Sequence, residues 1–371
     1  MPKFSFFIFI FIFSNPKLIN ENLIKIKENS INSKRVLIND LDTGKTNSKK
    51  NLIIVSISDY DWNKIAIFFN SYSRANFENT DLVVYVNNIK ENVINKIKSF
   101  GVKIIRIPEE YKKYSIINSR WKLYTDFLKQ NKDKYNLIFT ADAKDLFFQK
   151  DVFKFYQNIQ KPFLGIALED GFIGQSPENK EWTLKIYGEE LFEKIKNERI
   201  ICVDTVWGSI EKFCEFSEKM WEKLSSEWGK NKGLVDKYLV NVLIYHDKLY
   251  NDCIIFNDNI DGPVMTIALT NRVFINLDKD NNILNKKGDV AAVVHQYDRK
   301  EDLTQIVINK YYPDLNKIKI RNYFNHYLHV ILLFIGCIIC SFILGILYSL
   351  RYNNNKSKIF PFKKIEYDEG K

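Results

Sequence analysis

Glycine is scarce in this 371-residue chain, with 14 residues, and neither a G-x-G-x-x-G nor a G-x-x-x-x-G-K-[ST] stretch occurs. Both motifs cradle phosphates with backbone N–H groups that glycine leaves accessible, so their absence argues against a dinucleotide oxidoreductase and a P-loop kinase. Cysteine is thin as well. Cys202, Cys214 and Cys253 are scattered through the middle of the chain, Cys337 and Cys340 fall in an apolar run, and none has the paired spacing of a zinc site. At most one disulfide can form among the first three, with free thiols as the alternative. Despite abundant Asn, the one Asn-x-Ser/Thr sequon is Asn355-Lys356-Ser357. The formal charge of +10 is not a nucleic-acid signal, because lysines alternate with acids and no basic run interleaved with aromatics occurs in the central part. No nucleic-acid partner is expected. What is present suffices for a large core: 46% of residues are hydrophobic and 15% aromatic.

The two ends predict a topology. Phe4 to Phe13 is an unbroken run of Phe, Ile and Ser behind Lys3. Ten residues are too few to cross a hydrocarbon layer that needs about 20, so residues 1–14 read as a signal peptide or short hydrophobic segment. Residues 15–50, rich in Asn, Lys, Ser and Glu, read as a stem or linker. From Tyr327 to Leu350 there is no Asp, Glu, Lys or Arg, which predicts a transmembrane helix over 327–350. The 351–371 tail carries Arg351, Lys356, Lys358, Lys363 and Lys364 before its first acid and is predicted cytoplasmic. The expected location is therefore a secretory-pathway membrane (Golgi or ER) or the cell surface, single-pass, with the globular part lumenal or extracellular.

Between these ends, short apolar runs alternate with amphipathic stretches. LIIVSIS at 52–58, DLVVYV at 81–86, VKIIRI at 102–107 and NLIFTA at 136–141 read as buried strands, with helices through 62–76, 90–100 and 119–131 between them. That alternation implies crossover connections and a largely parallel α/β sheet flanked by helices. Further on, FLGIAL at 163–168 and the apolar runs PVMTIAL, RVFINLD and AAVVHQY between 263 and 297 read as strands, and 209–228 as a helix.

Asp142-Ala143-Lys144-Asp145 directly follows the strand NLIFTA. Ligands of open α/β sheets sit outside the carboxyl ends of strands, so both carboxylates are aimed at the crevice, where hard oxygen donors suit Mg²⁺ or Mn²⁺ and, through the ion, a diphosphate. The alternative is that one Asp caps a turn.

A strand, an Asp pair and then Phe148-Gln149 and Asp151-Val152-Phe153 resemble the metal-binding loop of GT-A-fold nucleotide-sugar glycosyltransferases, in particular glycogenin-like ones and lumenal, membrane-anchored eukaryotic relatives. The family's Asp-x-Asp stands here as Asp-x-x-Asp, leaving open which carboxylate touches the metal. Ser119-Arg120-Trp121 resembles the start of the family helix whose Arg faces the donor phosphate, which assigns Arg120 to the donor with Asp142 and Asp145. His295, in Val293-Val294-His295-Gln296-Tyr297-Asp298-Arg299, resembles the late His that completes the family's metal shell. Cys202-Val203-Asp204-Thr205-Val206-Trp207-Gly208 lies where the family has Asn-x-Gly followed by a backbone turn, and departs from it. Val235-Asp236-Lys237 with Asn241 resembles the family's helical Asp-Gln and downstream Asn, with Lys237 in place of Gln.

The resemblance covers roughly residues 51–312 and implies a single GT-A-like domain over 51–315. Its implied activity is metal-dependent transfer of a sugar from a nucleotide-diphosphate donor to a hydroxyl of a glycan, protein or lipid. It implies Mn²⁺ or Mg²⁺ at Asp142, Asp145 and His295, and Asp236, then Asp204, as acceptor-side catalytic candidates. The competing reading is a non-catalytic glycan-binding or surface membrane protein that retains the fold, motivated by the two irregular segments at 142–145 and 202–208.

Overall fold

The computed structural model describes residues 49–317 and 339–347. The predicted signal peptide, the stem up to residue 48, the tail and all of the predicted span except 339–347 lie outside the described residues. Residues 339–347 are helical and expose Phe342, Leu344 and Leu347. Among the described residues no helix is long and apolar enough to cross a membrane.

The first half runs β1 (Lys50–Ser58), α1 (Trp62–Arg74), β2 (Thr80–Asn87), α2 (Glu91–Lys98), β3 (Lys103–Arg106), α3 (Ile116–Asn131) and β4 (Tyr135–Ala141). The four strands are parallel in the order β3-β2-β1-β4. Their near-continuous apolar sequences follow from burial on both faces. Successive side chains sort by the two-residue period of a strand. Ile53, Val55, Leu82, Val84, Leu137 and Phe139 enter one core with Ile65, Phe68 and Phe69 of α1. Leu52, Ile54, Val83, Tyr85 and Ile138 enter the other with Trp121, Tyr124 and Leu128 of α3. Each fully buried aliphatic of this kind contributes about 1.5–3 kcal/mol. Asp61 starts α1 by accepting from Lys64 N at 3.1 Å, the capping that a helix's first orphan N–H groups need.

The second half comprises β5 (Leu146–Phe148), β6 (Leu164–Phe172), α4 (Pro177–Tyr187), α5 (Glu189–Ile195), β7 (Arg199–Ser209), α6 (Ile210–Ser225), α7 (Glu227–Lys232), α8 (Asp236–Asn241), β8 (Ile254–Asn257), β9 (Val264–Thr266), β10 (Asn276–Leu277), β11 (Ile283–Leu284), β12 (Val293–His295) and α9 (Glu301–Tyr311). It extends the main sheet to β3-β2-β1-β4-β7-β6-β8, with β7 antiparallel to both its neighbours and β8 parallel to β6. The mostly parallel α/β sheet expected from the alternation is what the chain forms. A second, three-stranded sheet has the order β5-β12-β9. Gly165 on β6 makes room for the Trp207 indole: a Cβ there would stand 2.1 Å from the ring.

Two local expectations change, and residues 202–208, which had no element assigned from the sequence, belong to strand β7. RVFINLD is a 3-10 turn over Arg272–Phe274, with Asn271 accepting from Val273 N, followed by the two-residue β10. The helix expected through 228 breaks at Ser226, whose hydroxyl accepts from Gly229 N at 3.0 Å and starts α7.

Candidate active site

Strands β1 and β4 run in parallel, so the residues that leave them emerge at one edge of the sheet. Tyr60 follows β1, and its hydroxyl is pushed up to about 12 by burial and then by Asp142, Asp145 and Asp204, the acids gathered beside it. Asp142 follows β4 and turns the chain on itself, its Oδ1 accepting from Lys144 N at 2.9 Å. That turn delivers Asp145 to the start of β5.

Strand pairing then closes a large sequence gap. β5 lies antiparallel to β12 with Leu146 opposite His295 and Phe147 opposite Val294, and Gln296 N donates to Asp145 O at 2.8 Å. Phe148 and Val293 enter one core and Phe147 and Val294 another, so both faces of this strand pair are buried. His295 Nε2 thereby comes within 3.1 Å of Asp145 Oδ1. The approach is a close ion pair rather than an aligned hydrogen bond, and Asp145 Oδ1 is left buried without a donor. Its Oδ2 faces Arg299 Nη2 at 3.2 Å, and Arg299 also pairs with Asp298. Immediately after His295, Gln296 holds a left-handed backbone with φ of 59°, an uncommon conformation for a residue with a side chain.

β7 forms the next wall. Ile166 pairs with Val206 but the adjacent Ala167 pairs with Cys202, so Val203, Asp204 and Thr205 bulge out of the ladder. Asn241 of α8 pins the start of the bulge, its Oδ1 accepting from Ile201 N at 2.9 Å. The bulge places Cys202 Sγ 3.2 Å from His295 Nδ1. Ligand atoms of Cys202, Asp204 and His295 all lie within 4.8 Å of one another, and neither Asp142 nor Asp145 belongs to that set.

Arg120 of α3 lies behind this wall. Its Nη2 is 2.8 Å from Asp204 Oδ1 and 2.6 Å from Asp236 Oδ2, and its Nε donates to Asp236 Oδ2 at 3.1 Å. Trp121 Nε1 donates to the same Asp236 oxygen at 3.0 Å. Asp236 is 2% exposed, so its carboxylate is spent on these buried partners. Asp204 is the more accessible of the two acids, at 26% of its side chain.

The electrostatics are those of a site rich in negative charge. Burial, then Asp204 and Asp145, push Asp142 up to about 6. Burial would raise Asp145 too, but His295 and Arg299 hold it below the usual carboxylate range. Burial would lower His295, and the Cys202 and Asp145 side chains override it and hold the imidazole well above its ordinary value. Glu169 on β6 is pushed up to about 7, chiefly by burial and secondarily by Asp204, with His295 opposing.

A buried carboxylate oxygen without a donor on Asp145, a second acid, Asp142, raised by its acidic neighbours, and the His295 imidazole beside them fit a cation, although among the described residues only Cys202, Asp204 and His295 have ligand atoms all within 4.8 Å of one another. Of the residues singled out from sequence, Asp145 and His295 meet directly, while Arg120 joins Asp204 and Asp236. Glu169, Cys202 and Tyr60 were not foreseen at this site. The one sequence signal for Glu169 is an acidic pair, Glu169-Asp170, closing an apolar strand, and Cys202 gives none.

No family model and no curated protein matches the chain. Among solved structures, galactosyltransferase LgtC in complex with donor and acceptor sugar analogues is similar at 14% identity over 66% of this chain and 86% of that one, with a TM-score of 0.41. The apo structure of the bifunctional glycosyltransferase WbbM is similar at 13% identity over 75% of this chain and 52% of that one, TM-score 0.43. Glycosyltransferase GlyE of Streptococcus pneumoniae TIGR4 is similar at 12% identity over 56% of this chain and 45% of that one, TM-score 0.36.

Proposed function

We propose that the chain is a glycosyltransferase that moves a sugar from a nucleotide-diphosphate donor to a hydroxyl of a glycan, protein or lipid acceptor. The observation that carries this reading is the meeting of Asp145 and His295, beside Asp142, at the edge where the parallel strands end. Clefts at that edge are where open α/β sheets bind nucleotides. The fold proposed with this function is of the GT-A type.

Asp142, Asp145 and His295 would hold Mn²⁺ or Mg²⁺, which when bound supplies Lewis-acid stabilisation of the departing diphosphate. The chain's own residues set the geometry. The Asp142 turn and the β5–β12 register orient the carboxylates, and the buried Asp204–Arg120–Asp236 network holds the β7 wall in place against the cleft. In this reading Asp204, partly exposed, is the acceptor-side candidate, and Asp236 acts through Arg120 as a positioning residue. Arg120 then reaches a donor phosphate only by its field across Asp204. Membrane anchoring through 327–350, with the domain lumenal or extracellular, is part of the same proposal. Divalent-dependent binding and turnover of a nucleotide sugar by the purified chain tests it, with Asp145→Asn as the control.

A further inference from the structure

We propose that Cys202, Asp204 and His295 form a second cation site, selective for a thiophilic divalent ion such as Zn²⁺ or Co²⁺, on the opposite ring nitrogen of His295 from Asp145. It goes beyond sugar transfer and shares His295 and Asp204 with the site proposed for it. Sulfur, imidazole nitrogen and one carboxylate are a donor set that favours borderline-soft ions over Mg²⁺ or Mn²⁺.

The geometry carries the argument in three parts. First, the Cys202 Sγ to His295 Nδ1 distance is 3.2 Å. A tetrahedral ion at about 2.3 Å from sulfur and about 2.0 Å from nitrogen needs a separation of about 3.5 Å, so the two donors need to part by only a few tenths of an ångström. Second, Arg120 fixes Asp204 through Oδ1, and that carboxylate has a second oxygen to give. Its partial exposure supplies the entry path that fully buried Cys202 and His295 lack. Third, with an ion on Nδ1 the remaining ring N–H is on Nε2, and Asp145 Oδ1 stands 3.1 Å away with no donor of its own. Histidines that ligate zinc usually pass their other N–H to a carboxylate in this way, which fixes tautomer and ring orientation. Making that hydrogen bond requires the ring to realign toward Asp145, and while it is made His295 does not ligate an ion held by Asp142 and Asp145, so the two ions exclude one another at His295.

The site is built by the β7 bulge, which projects Asp204 out of the ladder next to Cys202. A fourth position is left for water.

The test uses the full chain, stripped of metal under reducing conditions and titrated with Co²⁺ while its absorption is followed. The expected result is the near-ultraviolet charge-transfer band of thiolate bound to cobalt, together with the intense visible bands of a four-coordinate ion. Cys202→Ser, nearly isosteric, should lose the charge-transfer band and weaken Zn²⁺ binding by at least about tenfold, with Mn²⁺ affinity changed by less than about threefold. Asp145→Asn should keep the band. Cobalt that binds without the charge-transfer band, with Zn²⁺ affinity equal in wild type and Cys202→Ser, would overturn the site and leave the Asp142–Asp145 reading standing. If Cys202→Ser does not fold, loss of the band in Cys202→Ala decides the same question. No Co²⁺ or Zn²⁺ uptake by the wild-type chain overturns it outright, whatever Mn²⁺ does with a nucleotide sugar.

Discussion

Arg120 Nη2 lies 2.6 Å from Asp236 Oδ2, both side chains nearly closed to solvent, and the same nitrogen reaches Asp204 Oδ1 at 2.8 Å. An arginine shared between two carboxylates couples helix α3 to the β7 bulge and to helix α8. Removing one partner of a buried pair strands the other charge, which typically costs about 3–5 kcal/mol. Asp236→Ala should therefore lower unfolding stability by about 3 kcal/mol or more in urea, while Asp204→Ala, at the more solvated end, should cost clearly less. Equal and small losses for both would show that the network does not hold the wall.

The aromatic packing behind the metal-binding turn gives a second expectation. Phe148 follows Asp145 on β5 and meets the rings of Phe68, Tyr72, Phe77 and Phe139. Phe148→Ala should destabilise by about 3–5 kcal/mol, as truncations of buried aromatics do. A Tm unchanged in differential scanning fluorimetry would contradict the packing described for β5.

Glu169 provides a pH dependence whose sign can be worked out. Its folded-state value of about 7 lies above the ordinary 4.5. The folded chain therefore holds that proton more tightly than the unfolded chain does. The associated stability is present below about pH 4.5 and is lost as pH rises to about 7, amounting to at most about 3 kcal/mol. Glu169→Gln should gain stability relative to wild type between pH 5 and pH 8 by about 1–3 kcal/mol, read from urea midpoints. A difference that stays constant over that range would mean that Glu169 is ionised in the fold at pH 5.

The topology expectation concerns residues outside those described. With the tail cytoplasmic, protease treatment of intact microsomes should remove only the region after Leu350. Digestion of residues 60–300 without detergent would reverse the orientation.

Much of the first half was legible because its information is local. β1, β2 and β4 announce themselves as apolar runs, and Asp142 is visible as the acid that ends one of them. The second half resists for a physical reason. β7 carries Cys202 and Asp204 through a bulge, where the two-residue period is interrupted, so CVDTVWG reads as irregular although it is a strand. The β5–β12 pairing rests on two three-residue strands, too short for a pattern, and it alone brings His295 to Asp145. Asp236 shows the remaining limit. Its place on a helix was readable, but its burial against Arg120 and Trp121 depends on how α3 and α8 pack, which no local pattern encodes.

The most direct measurement of the central claim is nucleoside-diphosphate release by the purified full chain across a panel of nucleotide sugars, with Mn²⁺, Mg²⁺ or chelator, in wild type and Asp145→Asn. The account predicts divalent-dependent release from at least one donor and a loss of about a hundredfold or more in Asp145→Asn, the scale expected when leaving-group stabilisation of several kcal/mol is removed. Failure of every nucleotide sugar to bind or turn over in either metal, with the chain folded, would contradict it and favour a glycan-binding protein without transfer activity.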